Sequence, residues 1–323
     1  GLGWVGARRL EAVAAAGTAE IAALCDTDPA RLDAAGEAHR SAERFADYDA
    51  LLGCAEELRL DGVVLATPNA LHAPQALAAL DRGLAVFCQK PLACRAADAR
   101  AIVEAARRAD RLLDVDDSYR HTDAAASLRR LARSGELGRI FSIESVFHNA
   151  YGPGKAWCHD PAAAGGGALL DLGVHLVDLA LWILDFPAVR AVYGQAFRHG
   201  RPLDGPGEID DFAAGHLRLA DGTVVHIAAS WNAHAGQDCV IRTAALGTAG
   251  GAELRNVGGS FYEFELARFT GRQGAVVGRE SHTWAGLAIV AWTERLARSA
   301  AYHPAAEQNI PVLEVVEEIY RGG

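Results

Sequence analysis

The stretch from Gly165 to Asp185, GGGALLDLGVHLVDLALWILD, constrains this chain more than any other. Read as a helix it runs for about five turns. Leu169, Leu170, Leu172, Val174, Leu176, Val177, Leu179, Leu181 and Ile183 cover most of its circumference. A helix that is apolar on nearly all sides is buried. Yet Asp171, His175 and Asp178 fall at i, i+4 and i+7 and so share one face. Burying an unpaired charge is costly. These groups therefore bond to other parts of the protein or line a polar cavity that a ligand fills. Gly173 lies among them at a cost of about 1 kcal/mol relative to alanine, and its missing side chain would let another backbone or a flat ring come close. The alternative is bland: Asp171 near the helix N-terminus and His175 as a satisfied core histidine.

The chain has 323 residues, enough for two domains with separate cores. A net charge of −10 argues against nucleic acid or an anionic membrane as the main partner. The three ionisable residues in the long apolar stretch argue against a membrane span. Six cysteines show no CxxC pair and no zinc spacing, so no metal site is expected. They read as small apolar residues of a reducing compartment, which points to the cytoplasm. The sequence lacks methionine and begins at Gly1. The expectation is an N-terminus that has lost its first residues, and any targeting signal with them.

Gly1-Leu2-Gly3-Trp4-Val5-Gly6 is a GxGxxG followed by a helical pattern over Ala7 to Ala16. Such a motif needs a strand before it, and that strand would precede Gly1. Glu20 to Cys25 is a short apolar run ending at Asp26, 20 residues after Gly6. That is the spacing of an acid that bonds the adenosine ribose hydroxyls. Asp61 to Ala66 and Leu84 to Cys88 are further strand candidates, ending in Thr67-Pro68-Asn69 and Gln89-Lys90-Pro91. Ala70 to Arg82 and Arg95 to Arg111 read as helices, and Leu112 to Val115 as a fifth strand. Alternating strands and helices imply a parallel sheet covered on both faces, with ligands beyond the carboxyl ends of the strands.

The pattern changes near Ser118. Asp123 to Ser134 reads as a helix, Arg139 to Phe147 as a strand, and Ala150 to Ala164 as an irregular loop holding Trp157 and Asp160. After the long apolar stretch come strand runs Ala188 to Phe197, Phe212 to Leu219, Thr223 to Trp231 and Val240 to Leu246. Ala220-Asp221-Gly222 reads as a hairpin turn between two of them. The last helices fall over Trp284 to Ser299 and Pro311 to Tyr320. The expected fold class is α/β. Residues 1–118 form a dinucleotide-binding domain lacking its first strand, and 119–323 form an α/β domain with a large, mostly antiparallel open sheet.

TPNALH (Thr67 to His72), VFCQKPLA (Val86 to Ala93) and GGGALLDLGVHLVD (Gly165 to Asp178), in this order after the GxGxxG and Asp26, resemble the Gfo/Idh/MocA family. The resemblance covers nearly the whole chain. It implies a Rossmann domain, an open sheet that serves as the interface of a homodimer or homotetramer, and oxidation or reduction of a sugar or polyol alcohol with NAD, or with NADP. It implies a catalytic set of Lys90, Asp171 and His175, which would also touch substrate. Trp157 and Asp160 in the loop before the apolar stretch are further candidates for substrate contact. It places the cofactor against Gly1, Gly3, Trp4, Val5, Gly6, Asp26, Thr67, Pro68, Asn69, His72, Gln89 and Lys90. The common family pattern is Glu-Lys-Pro. Here Gln89 keeps an acceptor, gains a donor and loses the charge.

The chemistry is consistent with that assignment. Hydride exchange at a carbinol carbon needs a still, flat cofactor, a group that exchanges the hydroxyl proton, and a donor to the oxygen. His175 suits proton exchange near neutral pH, Lys90 suits donation, and Asp171 can hold the imidazole or a neighbouring hydroxyl. Two other functions fit the same fold: a glycosidase using bound NAD for transient oxidation and elimination, and a non-catalytic NAD(P)-binding regulator.

Overall fold

The computed structural model describes residues 1–203, 208–281 and 284–322. The chain opens with α1 (Trp4–Ala16), β1 (Ala23–Cys25), α2 (Pro29–Ala38), β2 (Glu43–Phe45) and α3 (Tyr48–Gly53). It continues through β3 (Gly62–Leu65), α4 (His72–Asp81), β4 (Ala85–Cys88), α5 (Ala96–Ala109) and β5 (Leu113–Val115). Then come α6 (Asp123–Arg133), β6 (Ile140–Asn149), α7 (Pro161–Ala164), a π-helical turn at Leu169–Gly173 and α8 (Val174–Ile183). Eight strands follow: β7 (Val189–Arg198), β8 (Arg201–Pro202), β9 (Phe212–Leu219), β10 (Val224–Ser230), β11 (Cys239–Gly247), β12 (Gly251–Asn256), β13 (Glu263–Thr270) and β14 (Gln273–Ser281). Helices α9 (Leu287–Arg298) and α10 (Asn309–Arg321) close the chain.

Two compact units result. The first comprises Gly1–Ala93, Ala97–Ser118 and Ala285–Asn309; the second comprises Cys94–Ala96, Tyr119–Trp284 and Ile310–Gly323. Sequence reasoning placed all of 119–323 in one domain. Instead α9 packs into the first unit, because its apolar face completes that unit's core. Ala288, Ile289 and Trp292 bury against Val13, Ala85, Phe87 and Leu112, with the Trp292 and Phe87 rings 5.7 Å apart.

All strand pairs of the first unit are parallel, β1 with β2 and β3 with β4 with β5. The sheet stands in two pieces, β1–β2 and β3–β4–β5. Sequence reasoning missed α2, β2 and α3. Their start signals are local: Asp28 accepts from Ala30 N–H with Pro29 at the first helical position, and Asp47 accepts from Ala50 N–H. The motif helix begins at Trp4, three residues earlier than expected.

The second unit is built on one nine-stranded sheet, ordered β14-β13-β12-β11-β6-β10-β9-β7-β8. Every pair is antiparallel except β6 with β10. The Ala220-Asp221-Gly222 turn joins β9 to β10 in register, Phe212 opposite Ser230 and Arg218 opposite Val224. Strands β12 to β14 were not foreseen, because polar and charged residues dilute their alternation. Helices α6 and α8 lie against this sheet, and Ile319 of α10 meets β7 and β9 at Gly194 and Gly215. Buried Ile143, Phe147, Val225, Ile227, Ala229, Ala213 and Leu217 form that covered face. The opposite face shows Tyr193, 59% exposed, and an ionic lattice in which Arg242 bonds Glu144 and Glu253, and Arg255 bonds Glu253 and Glu265.

Candidate active site

The parallel strands of the first unit bring several of the expected residues to their carboxyl ends: Asp26 after β1, Thr67 to Asn69 after β3, Gln89 and Lys90 after β4. The glycines of the motif are needed for close approach. A Cβ on Gly6 would lie 1.9 Å from the carbonyl oxygen of Gly1, and one on Gly1 would lie 2.6 Å from that of Ala66. Helix α1 starts with no side-chain cap and no acid in its first turn. Its first N–H groups and the positive end of its dipole suit an anion such as a dinucleotide pyrophosphate. Trp4 is half exposed at that end and Val5 partly buried. Asp26 is 8% exposed. Its carboxylate accepts from Leu2 N–H at 2.5 Å and Asp28 N–H at 2.8 Å, which fixes its orientation at the strand end. Arg31, the nearest cation in sequence, pairs with Asp28 at 3.1 Å.

Thr67 donates to Gln75 Oε1 at 2.7 Å, and Thr67, Pro68 and Asn69 are all half-buried. His72 departs from expectation. It is fully buried, with Nδ1 2.7 Å from the Pro91 carbonyl and Nε2 3.0 Å from the Thr67 carbonyl. It presents no surface to a cofactor and clamps the loop after β3 to the Lys-Pro turn. Gln89 donates to Asp116 at 2.7 Å, and its other amide atom accepts from Lys90 N–H. Asp116, absent from the sequence-based list, is 1% exposed and pairs with buried Arg9 of α1.

In the second unit the long apolar stretch is not one helix from Gly165. Gly167 N–H and Leu169 N–H both bond the Asp210 carboxylate at 2.8 Å, and Tyr320 O–H donates to it at 2.7 Å. This approach explains the glycine run, since a Cβ on Gly167 would lie 1.9 Å from the Asp210 carbonyl and one on Gly166 would lie 2.5 Å from the Tyr320 hydroxyl. Helical structure begins at Leu169 with a π turn, marked by Val174 N–H bonding back to Leu169. Such turns occur often at functional sites. Gly173 makes room for the Leu169 side chain, 2.7 Å from a Cβ there, rather than for a backbone or a ring.

Between Gly166 and Leu181 every residue is buried except Asp171 and His175, which are half-buried. Asp171 accepts from Trp231 Nε1–H at 2.9 Å. The His175 ring meets Tyr119 edge to face, centroids 5.1 Å apart. Burial pushes the Tyr119 hydroxyl well above its ordinary pKa, with the charge of Asp171 acting in the same direction. Tyr119 therefore stays a neutral wall beside His175. Asp178 does not join them. It is buried and doubly bonded by Arg120, with Nε 2.8 Å from its carboxylate. Trp157 is half-buried in a 3₁₀ turn with the Lys155 ammonium 5.9 Å from its ring. Its neighbour His159 packs on Trp231, centroids 5.8 Å apart, and so leads to Asp171. Asp160, the other candidate for substrate contact in this loop, caps α7 by accepting from Ala162 N–H. Tyr119, Trp231 and Asp210 carry no motif, and only the fold brings them to this helix.

His72 makes stability depend on pH. Burial lowers its pKa, the two carbonyls oppose this, and burial dominates. The folded protein therefore binds this proton less readily than the unfolded chain, whose histidine titrates near about 6.5. The stability it contributes is present above about pH 6.5 and is lost as pH falls below that value. Thermal melts from about pH 7.5 to 5 should show the wild-type curve falling more steeply than that of His72→Gln. Parallel curves would contradict this account of His72.

Comparison with known proteins agrees with this architecture. Residues 1–117 match the family model described as an oxidoreductase family with an NAD-binding Rossmann fold, and residues 125–253 match the GFO/IDH/MocA C-terminal domain. A D-glucoside 3-dehydrogenase of Escherichia coli strain K12 is 26% identical over 246 residues, 73% of this chain and 69% of that one. Inositol 2-dehydrogenase 2 of Saccharopolyspora erythraea is 30% identical over 258 residues, 79% of this chain and 71% of that one. Against some other curated sugar dehydrogenases the match spans roughly half of the relative. The crystal structure of GenD2 from gentamicin A biosynthesis, in complex with NAD, superposes with a TM-score of 0.81 at 25% identity, covering 100% of this chain and 92% of that one. The chain belongs to the Gfo/Idh/MocA family of oxidoreductases, with an NAD-binding Rossmann domain at its N-terminus.

Proposed function

We propose that this protein is an NAD-dependent dehydrogenase or reductase acting on a secondary hydroxyl of a sugar, polyol or related compound. One observation carries the reading: between Gly166 and Leu181 a buried segment opens to solvent only at a carboxylate and an imidazole four residues apart, Asp171 and His175. The relatives named for glucoside and inositol oxidation support the substrate class. The Gly1 to Gly6 turn, Asp26 and the loops after β3 and β4 would hold NAD, which when bound accepts or gives the hydride. His175 takes the hydroxyl proton in oxidation and returns it in reduction. Lys90 donates to the substrate oxygen as charge develops on it. Asp171, fixed by Trp231, holds the geometry.

A panel of polyols, aldoses and keto sugars with NAD and with NADP would identify the substrate by absorbance change. On that substrate His175→Ala should lower turnover by ~10²–10⁴ while leaving NAD affinity nearly unchanged. Near-normal turnover with a large loss of melting temperature would instead make His175 a core residue.

We further propose a homodimer or homotetramer joined through the face of the second unit's sheet that carries Tyr193, Val146, Ala214 and Ala228. Partly exposed apolar side chains lie there beside the ionic lattice, and a broad sheet face that mixes the two suits docking against a second copy. Light scattering at micromolar concentration should return a multiple of the chain mass, and a monomer mass would end this part of the proposal.

A further inference from the structure

The geometry points to Gln89 and Asp116 as one positioning unit for Lys90, in which the carboxylate has moved from the end of β4 to the end of β5. This rests on the role given to Lys90 above. Asp116 and Arg9 are 1% and 3% exposed and lie 2.5 Å apart between Oδ2 and Nε. The same Oδ2 accepts from Gln89 Nε2 at 2.7 Å, and Oδ1 accepts from the Ser118 hydroxyl at 2.5 Å. Arg9 Nη1 donates to the Ala285 carbonyl at 2.5 Å. A buried carboxylate is tolerated when it is paired and its lone pairs are filled in this way.

This arrangement leaves position 89 one choice. A carboxylate only accepts, so the side chain facing Asp116 must donate. The Gln89 amide nitrogen does so, which turns its oxygen onto Lys90 N–H at 3.1 Å. The backbone of Lys90 is thereby tied through Gln89 and Asp116 to Arg9, on the helix that follows the glycine-rich turn. Glutamate at 89, the residue common in relatives, could accept from Lys90 N–H but would set a second carboxylate against Asp116. Two carboxylates at that distance share a proton rather than both ionise. The loss of charge at 89 therefore follows from the charge at 116. Among the described residues, the charged and titratable groups beside this pair include Arg9 on α1 and Cys88 on β4. Burial, and then the Asp116 charge, push the Cys88 thiol far above its ordinary pKa, so it stays neutral.

The test is a double-mutant cycle of Gln89→Glu and Asp116→Asn on the full chain, with Lys90→Ala as reference. Melting temperature, NAD dissociation constant and the pH profile of turnover would be read for each variant. Gln89→Glu should lower turnover about tenfold or more at pH 8 and regain part of it on acidification, as a shared proton returns to the carboxylate pair. Asp116→Asn should lose activity without that pH-dependent recovery. The double variant, with amide and carboxylate exchanged, should recover both turnover and melting temperature to near the wild-type values. Losses that simply multiply, or a Gln89→Glu enzyme with the wild-type pH profile, would overturn the proposal. A fall in melting temperature alone, with turnover per folded molecule unchanged, would also overturn it. Wild-type turnover in Lys90→Ala would instead remove the role of Lys90, an outcome visible apart from the coupling between 89 and 116.

Discussion

A carboxylate cannot stay ionised inside a protein without partners, and this structure follows from how each buried acid meets that demand. Asp178 takes the guanidinium of Arg120. Asp116 takes Arg9, Gln89 and Ser118. Asp210 takes two backbone N–H groups and the Tyr320 hydroxyl, although burial still raises its pKa against those donors. Each solution fixes an element: the α8 helix against the segment bearing Arg120, the end of β5 against α1, the start of the π turn against α10. Asp171 and His175 are left half-buried, at the point where the helix is proposed to meet substrate.

The sequence made the parallel first unit and the antiparallel second unit legible, because helical and strand periodicities survive there with little interruption. The β9–β10 hairpin was visible from Ala220-Asp221-Gly222. What escaped was of three kinds. Strands β12 to β14 face ionic partners across the sheet, so their hydrophobic alternation is weak. Helix α9 reads as part of the second domain by position, and only its packing against Phe87 and Val13 explains its return to the first unit. The three ionisable groups on the apolar stretch share a face in an ideal α-helix. The π turn and Arg120 separate Asp178 from the other two, and neither is written in local spacing.

The residues that support the candidate site were harder still. Trp231 lies 60 positions from Asp171, and Tyr119 lies 56 positions from His175, the groups they touch. Gln89 was recognisable as a departure from the family pattern, but its reason, the buried Asp116–Arg9 pair, needed the fold. His72 shows the opposite error. It lies in a recognisable motif and reads as a cofactor contact, yet burial and two carbonyl partners make it a clamp between loops.

In the proposed reaction hydride passes between a carbinol carbon and nicotinamide with net conversion of the alcohol. The most direct measurement uses a substrate deuterated at the carbon to be oxidised and counts both the label and the reduced cofactor. One deuterium on the nicotinamide ring and one reduced cofactor are expected for each alcohol oxidised. A glycoside cleaved with no accumulation of NADH and the label returned to the sugar would contradict it.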